Sequence, residues 1–213
     1  MNCRKFNAQD FPDKVTEVYN AGYEKGKSEG GTDDYYDTFW DAFQQNGNRT
    51  HWNYAFWERG WTDDSYKPKY TFKNILYIQS MFQLTRITDT LLPLDLSNVT
   101  NAYGSVFRAA TNLKTIRTLT VTSSISYVDW FIGCTALKNI TFEGVIGNNI
   151  DFASCVKLSK ESIENIIGCL SDTVSDKTVT FSATAVNNAF GSSESDEWLS
   201  LKASKKNWNI SLI

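Results

Sequence analysis

Phe107-Arg-Ala-Ala110-Thr-Asn-Leu113-Lys114, Phe131-Ile-Gly-Cys134-Thr-Ala-Leu137-Lys138 and Phe152-Ala-Ser-Cys155-Val-Lys-Leu158-Ser159 share one pattern, F-x-x-[A/C]-x-x-L-[K/S]. Met81, Leu84 and Ile87 hold the same three positions in a weaker copy upstream. The copies begin at 81, 107, 131 and 152, so their spacings are 26, 24 and 21 residues. Tyr77, Tyr103 and Tyr127 each stand four residues ahead of a copy. Self-similarity at this period predicts a stacked array in which no unit buries its apolar face alone. Arrays of this kind are mostly recognition surfaces, which moves the expectation away from catalysis.

Inside a unit, Leu113, Ile116, Leu119 and Val121 match Leu137, Ile140, Phe142 and Val145. The run Leu-Lys-x-Ile-x-x-Φ reads as a short strand with its apolar side facing in. The F-x-x-C-x-x-L stretch reads as a tight turn or a single helical turn leading into that strand. Stacking then lays the strands side by side in a parallel sheet. Ala110, Cys134 and Cys155 share one repeat position, which marks a small buried slot where a thiol acts as a small hydrophobe. The outward side chains of the strands are the candidate ligand-binding residues: Arg117 and Thr120 from one unit, Thr141 and Glu143 from the next. The same four residues equally suit a plain solvated face.

The flanks predict caps. Residues 1–31 read as a tail, either a frayed linker or a docking helix. In the second case Gly22, Gly26 and Gly30 would line a bare face, and residues 10–30 could join copies of the chain. Residues 32–72 form an aromatic-rich N-terminal cap. Tyr36, Phe39, Trp40 and Phe43 have helical spacing over 33–46, and Trp52, Tyr54 and Phe56 alternate as a strand would. That aromatic block is either core or a stacking platform for sugars. Residues 73–158 hold the array. Residues 159–213 close it: Ser159 N-caps a helix over Lys160–Leu170, a strand lies around Val179 and Phe181, a helix near Glu194–Lys205 carries Trp198 and Leu201, and a last strand puts Trp208, Ile210 and Leu212 on one face. The expected fold is α/β: about four irregular solenoid units with a parallel inner sheet, a helical and aromatic N-terminal cap and an α+β C-terminal cap.

Composition narrows the function. Hydrophobic residues make up 41% of the 213, enough for a core. Charge is balanced, 21 basic against 24 acidic residues, and no Lys/Arg cluster has the density of a nucleic-acid patch, so no nucleic-acid partner is expected. No run of 18 apolar residues suggests a membrane span. The N-terminal stretch lacks the apolar core of a signal peptide, which predicts synthesis and folding in a cytoplasm. His51 is the single histidine, which removes multi-histidine metal centres and the H-E-x-x-H zinc motif. Nucleophile elbows, phosphate-binding glycine loops and calcium loops do not occur. The expectation is a protein that is not an enzyme and carries no cofactor or metal.

The segment Phe131–Phe142, F-x-x-C-x-x-L-K-x-I-x-F, resembles the leucine-rich repeat of bacterial surface proteins of the BspA-like type. The flanks Tyr36–Thr50 and Ser182–Gly191 are similar to proteins of gut Firmicute phages and prophages. The resemblance implies a leucine-rich-repeat-like solenoid in a virion-associated protein of the tail or baseplate, assembled in the host cytoplasm. Its implied partners are other virion proteins and a host-surface glycan or protein. A secreted adhesin at the bacterial cell surface and a phage glycan hydrolase are the alternatives.

Overall fold

The computed structural model describes residues 51–58, 61–64, 66, 72, 75–90, 92–100 and 104–213. The tail at 1–31 and the aromatic helix at 33–46 lie outside the described residues, as do Tyr70 and Tyr103. The described chain is a mixed α/β fold built on a β-solenoid of about three turns with parallel sheets. Its elements in order are β1 (Asp89–Thr90), β2 (Leu94–Asp95), β3 (Thr115–Val121), β4 (Asn139–Gly144), β5 (Ile150–Phe152), α1 (Lys160–Gly168), β6 (Lys177–Phe181), α2 (Ala183–Phe190), α3 (Asp196–Ala203) and β7 (Trp208–Leu212).

A column of phenylalanines runs through the core. Phe56, Phe82, Phe107, Phe131, Phe152 and Phe181 stack in that order, with ring centroids 5.0, 5.4, 5.7, 4.6 and 5.8 Å apart and rings within 23° of parallel. All six are fully buried. Buried aromatic pairs add about 0.5–1.5 kcal/mol each beyond the area they remove from water. Because each ring touches the next, the column also fixes how one turn sits on its neighbour.

The column corrects the weaker copy. Phe82, not Met81, occupies the first position, and Thr85, not Leu84, fills the small slot, buried like Ala110 and Cys134. Ile87 does hold the leucine position. The carbonyl of Thr88 accepts from the amides of Lys114 and Thr115, as that of Lys114 does from Lys138 and Asn139. The copy is therefore one residue short between its slot and its strand. Phe56 begins one more copy upstream. Tyr77 shifts accordingly: it lies five residues before Phe82, half-buried, while Trp52, Ile78 and Tyr127 hold the buried place four residues before their rings.

The F-x-x-C stretches are stacked turns. A pair of left-handed residues brackets each of the first four rings: Tyr54 and Glu58, Ser80 and Leu84, Ser105 and Ala109, Asp129 and Gly133. Non-glycine residues in this region cost about 1–2 kcal/mol each. The turns offset that cost by hydrogen-bonding to one another. Phe56, Phe82 and Phe107 donate their amides to the carbonyls of Met81, Val106 and Trp130 at 2.8, 2.7 and 3.1 Å. Trp52, Tyr54 and Phe56, expected as a strand, belong to such a turn. Trp52 and Phe56 point inward, and Tyr54 is 39% exposed.

One parallel sheet joins β1 and β2 to one side of β3 and β4 to the other. Thr90 and Leu94, Ile116 and Leu119, and Ile140 and Phe142 are equivalent pairs across the three levels, so each level is one residue shorter than the last. Pro93, which has no amide to give a ladder, sits in the gap between β1 and β2. Arg117 is the surplus residue of β3, and its amide turns to Thr90 Oγ1 at 2.9 Å. Val121 pairs with Gly144 rather than Val145, which stands 42% exposed.

After β5 the chain forms a helix where the earlier turns have a strand. Ser159 N-caps α1, its hydroxyl accepting from the Ser162 amide. Ile163, Ile166 and Ile167 are buried. The polar residues of α1 cover the edge of β4: Ser162 Oγ accepts from the Ile140 amide, and Asn165 gives Phe142 both an acceptor (2.7 Å) and a donor (3.1 Å). A side-chain amide thus replaces the peptide of a missing strand. The second sheet has the order β5-β6-β7, all parallel. Lys160 binds Glu197 of α3 at 2.5 Å and lies over the Phe190 ring of α2, tying the three helices together. Trp208 and Ile210 of β7 face inward with Trp198, as expected.

Candidate functional site

Alternation along β3 and β4 separates two faces. Ile116, Leu119 and Val121 with Ile140 and Phe142 enter the core. Thr115, Thr118 and Thr120 with Asn139, Thr141 and Glu143 line the other side, and the register places Thr115 beside Asn139, Thr118 beside Thr141 and Thr120 beside Glu143. The four residues singled out from the sequence, Arg117, Thr120, Thr141 and Glu143, therefore share one face. Thr120 Oγ1 donates to Glu143 Oε2 at 3.4 Å. Arg117 reaches across to Asp89 Oδ2 of β1 at 3.0 Å, with the two side chains 52% and 30% exposed. Ion pairs this open contribute about 0–1 kcal/mol, so the pair orients its groups more than it stabilises the fold.

Asp89, Thr115, Thr118 and Asn139 complete the face and were not singled out. Thr118 was legible from alternation once the bulge at Arg117 is recognised. Asp89 belongs to the copy whose register is one residue short, which hid its place in the row. The finished face offers hydroxyls, the Arg117 guanidinium and the Glu143 carboxylate; the Asp89 carboxylate is taken up by Arg117 at Oδ2 and buried at Oδ1. Chemically it can exchange hydrogen bonds with a hydroxyl-rich or amide-bearing ligand.

The aromatic block divides. Trp52, Phe56, Tyr66 and Phe72 are core, whereas Tyr54 and Trp57 meet edge to face at 5.9 Å nearer the surface. His51 is exposed and stacks on the Tyr77 ring at 4.2 Å. The thiols of Cys134 and Cys155 lie in successive turns and donate to the carbonyls of Phe107 (3.0 Å) and Phe131 (3.9 Å), the ring residues one turn earlier. Both are free and buried. Burial pushes the Cys134 thiol up to about 12, against a weaker lowering effect of a backbone hydrogen bond, and raises that of Cys155 well above its ordinary value. Such thiols are poor nucleophiles, because the reactive form is the thiolate.

The site is thus a polar strand face on a solenoid, and no family model, curated protein or solved structure matches the chain.

Proposed function

We propose that this chain is a non-enzymatic recognition protein, a leucine-rich-repeat solenoid of the BspA-like type carried on the tail or baseplate of a phage or prophage virion. Its binding surface is the polar face of β1, β3 and β4, and its ligand is a glycan or protein of the host surface. The observation that carries this reading is the row Asp89, Arg117, Thr118, Thr120, Thr141 and Glu143 on adjacent strands. Strand pairing fixes these side chains at spacings close to 4.8 Å. A ligand therefore orders little of the protein when it binds, and preorganisation of this kind favours affinity. The virion assignment is supported by the resemblance of Tyr36–Thr50 and Ser182–Gly191 to phage proteins.

The test is binding of the purified full chain to host-cell surface fractions and to a glycan array. The proposal expects saturable binding that falls about tenfold or more in Arg117→Ala and Glu143→Ala, the size of loss seen when a central contact is truncated. Both residues are exposed, so their replacement should leave the thermal midpoint unchanged. Absence of binding to every host fraction at high protein concentration would sink the reading. So would binding that ignores both substitutions.

A further inference from the structure

The two sheets treat their edges differently. The outer edge of β4 is closed by Ser162 and Asn165 of α1. Among the described residues, nothing closes the outer edge of β7. Ile213 donates its amide to Phe181 at 3.1 Å and accepts from the amide of Ala183 at 2.8 Å, so the odd residues of the last strand face β6. The amides and carbonyls of Ile210 and Leu212, and the carbonyl of Trp208, then point away from the sheet. Among the described residues nothing pairs with them. Proteins commonly blunt such edges with a charge on the strand, a proline, a bulge or a covering element. Trp208-Asn-Ile-Ser-Leu212 has no charge and no proline, and its register with β6 is unbroken.

We propose that β7 is a self-association site, at which two copies of the chain pair their β7 strands antiparallel about a two-fold axis at Ile210. The strand is self-complementary in that arrangement. Ile210 meets Ile210 of the second copy in a hydrogen-bonded pair that uses both outward groups of each. Trp208 lies opposite Leu212 of the second copy, and its free carbonyl accepts from that amide. The Trp208 amide is already held by the carbonyl of Lys205 at 3.0 Å, so it asks for no partner, and the Leu212 carbonyl opposite it stays with water. On the core side, Leu212, half-buried in one copy, is covered by Trp208 of the other. On the outer side Asn209 meets Ser211, with no like charges opposed. An isologous contact of this kind closes on itself and makes a dimer of two sheets joined into one.

The experiment is sedimentation velocity of the full chain from low to high micromolar concentration, with amide hydrogen exchange measured at both ends of the range. The proposal expects a monomer–dimer equilibrium and exchange at Ile210 and Leu212 slowed about tenfold or more in the dimer. Leu212→Pro removes an amide that the monomer does not use, so it should abolish the dimer while the melting temperature holds. Asn209→Lys with Ser211→Lys keeps every backbone amide and should weaken the dimer more at low salt than at high salt. A chain that stays monomeric throughout the range overturns the proposal. A dimer that survives both variants with Ile210 still exchanging freely overturns it as well, because the contact then lies elsewhere. Docking of an extended peptide from another protein on β7 of a monomeric chain would assign the edge to that protein instead of to a second copy.

Discussion

At the scale of single residues, two glycines show how closely the turns approach. A Cβ at Gly147 would lie 2.4 Å from the carbonyl oxygen of Ser123, and one at Gly144 would lie 2.1 Å from that of Val121. Gly144 also has φ of 98°, where side chains are strained even in open space. Gly144→Ala must push β3 and β4 apart or flip the peptide, at a cost of about 3 kcal/mol or more. Thermal or urea unfolding should show a fall of that size, and a midpoint within a degree of the parent would mean that the strands are not in this contact.

The buried thiols and phenols make a pH prediction. Cys134 and Cys155 have ordinary values of 9.0 and are held higher by burial; Tyr66 and Tyr127, ordinarily at 10.0, are raised mainly by burial too. Below about pH 9 all four are neutral in the folded and unfolded chain, and their contribution is complete. Above it the unfolded chain loses protons that the folded chain keeps, so stability falls with rising pH. The expected slope is about 1.4 kcal/mol per pH unit for each group that ionises only on unfolding, continuing until about pH 12 for Cys134. Urea midpoints measured from pH 7 to 11 should be flat at first and then fall. A profile that stays flat to pH 11 would contradict the burial of these groups. In native protein at pH 8 a thiol reagent should modify the half-buried Cys169 before Cys134 or Cys155.

At the scale of elements, α1 acts as a strand substitute. Asn165 carries the pairing that a peptide would otherwise make with Phe142. Asn165→Ala leaves the Phe142 amide without an acceptor at a half-buried strand edge, while its carbonyl keeps the Cys169 thiol, and should cost about 1–3 kcal/mol. Exchange of the Phe142 amide should speed up, while amides of β6 respond only through the global loss. Persistent protection of Phe142 in the variant would show that the helix does not close this edge. The helix itself was readable, because Ser159 precedes three isoleucines at helical spacing. β3 and β4 were readable for a similar reason, since Leu113 through Leu119 and Leu137 through Phe142 repeat. Other elements were hidden by chemistry that imitates loops. α2 is Ala-Thr-Ala-Val-Asn-Asn-Ala-Phe, with no charges and only Val186 and Phe190 as large apolar residues, although Ser182 before it and the left-handed Gly191 after it mark both ends. β5 is only three residues long and finds its partner β6 across the whole of α1.

At the scale of the whole molecule, the phenylalanine column is what unites the parts. It runs from Phe56 to Phe181 and so crosses the edges of the 73–158 segment in which the repeat was visible. The Phe82 ring is hard to see in the sequence because Thr85 stands where the later copies have Ala or Cys and one residue is missing before Ile87. A match that keeps the repeat spacing constant through Met81, Leu84 and Ile87 therefore falls one position out of step. The polar face shows the same limit: alternation within β3 and β4 points to Arg117, Thr120, Thr141 and Glu143, but Asp89 depends on the shifted copy. The turns stack in the register Phe82, Phe107, Phe131, Phe152. The most direct measurement is the set of ring-to-ring nuclear Overhauser contacts in protein with labelled phenylalanine. Contacts are expected from Phe107 to both Phe82 and Phe131, and from Phe131 to Phe152, as centroid separations of 5.4, 5.7 and 4.6 Å require. Assigned spectra in which the Phe107 ring contacts neither Phe82 nor Phe131 would contradict that register.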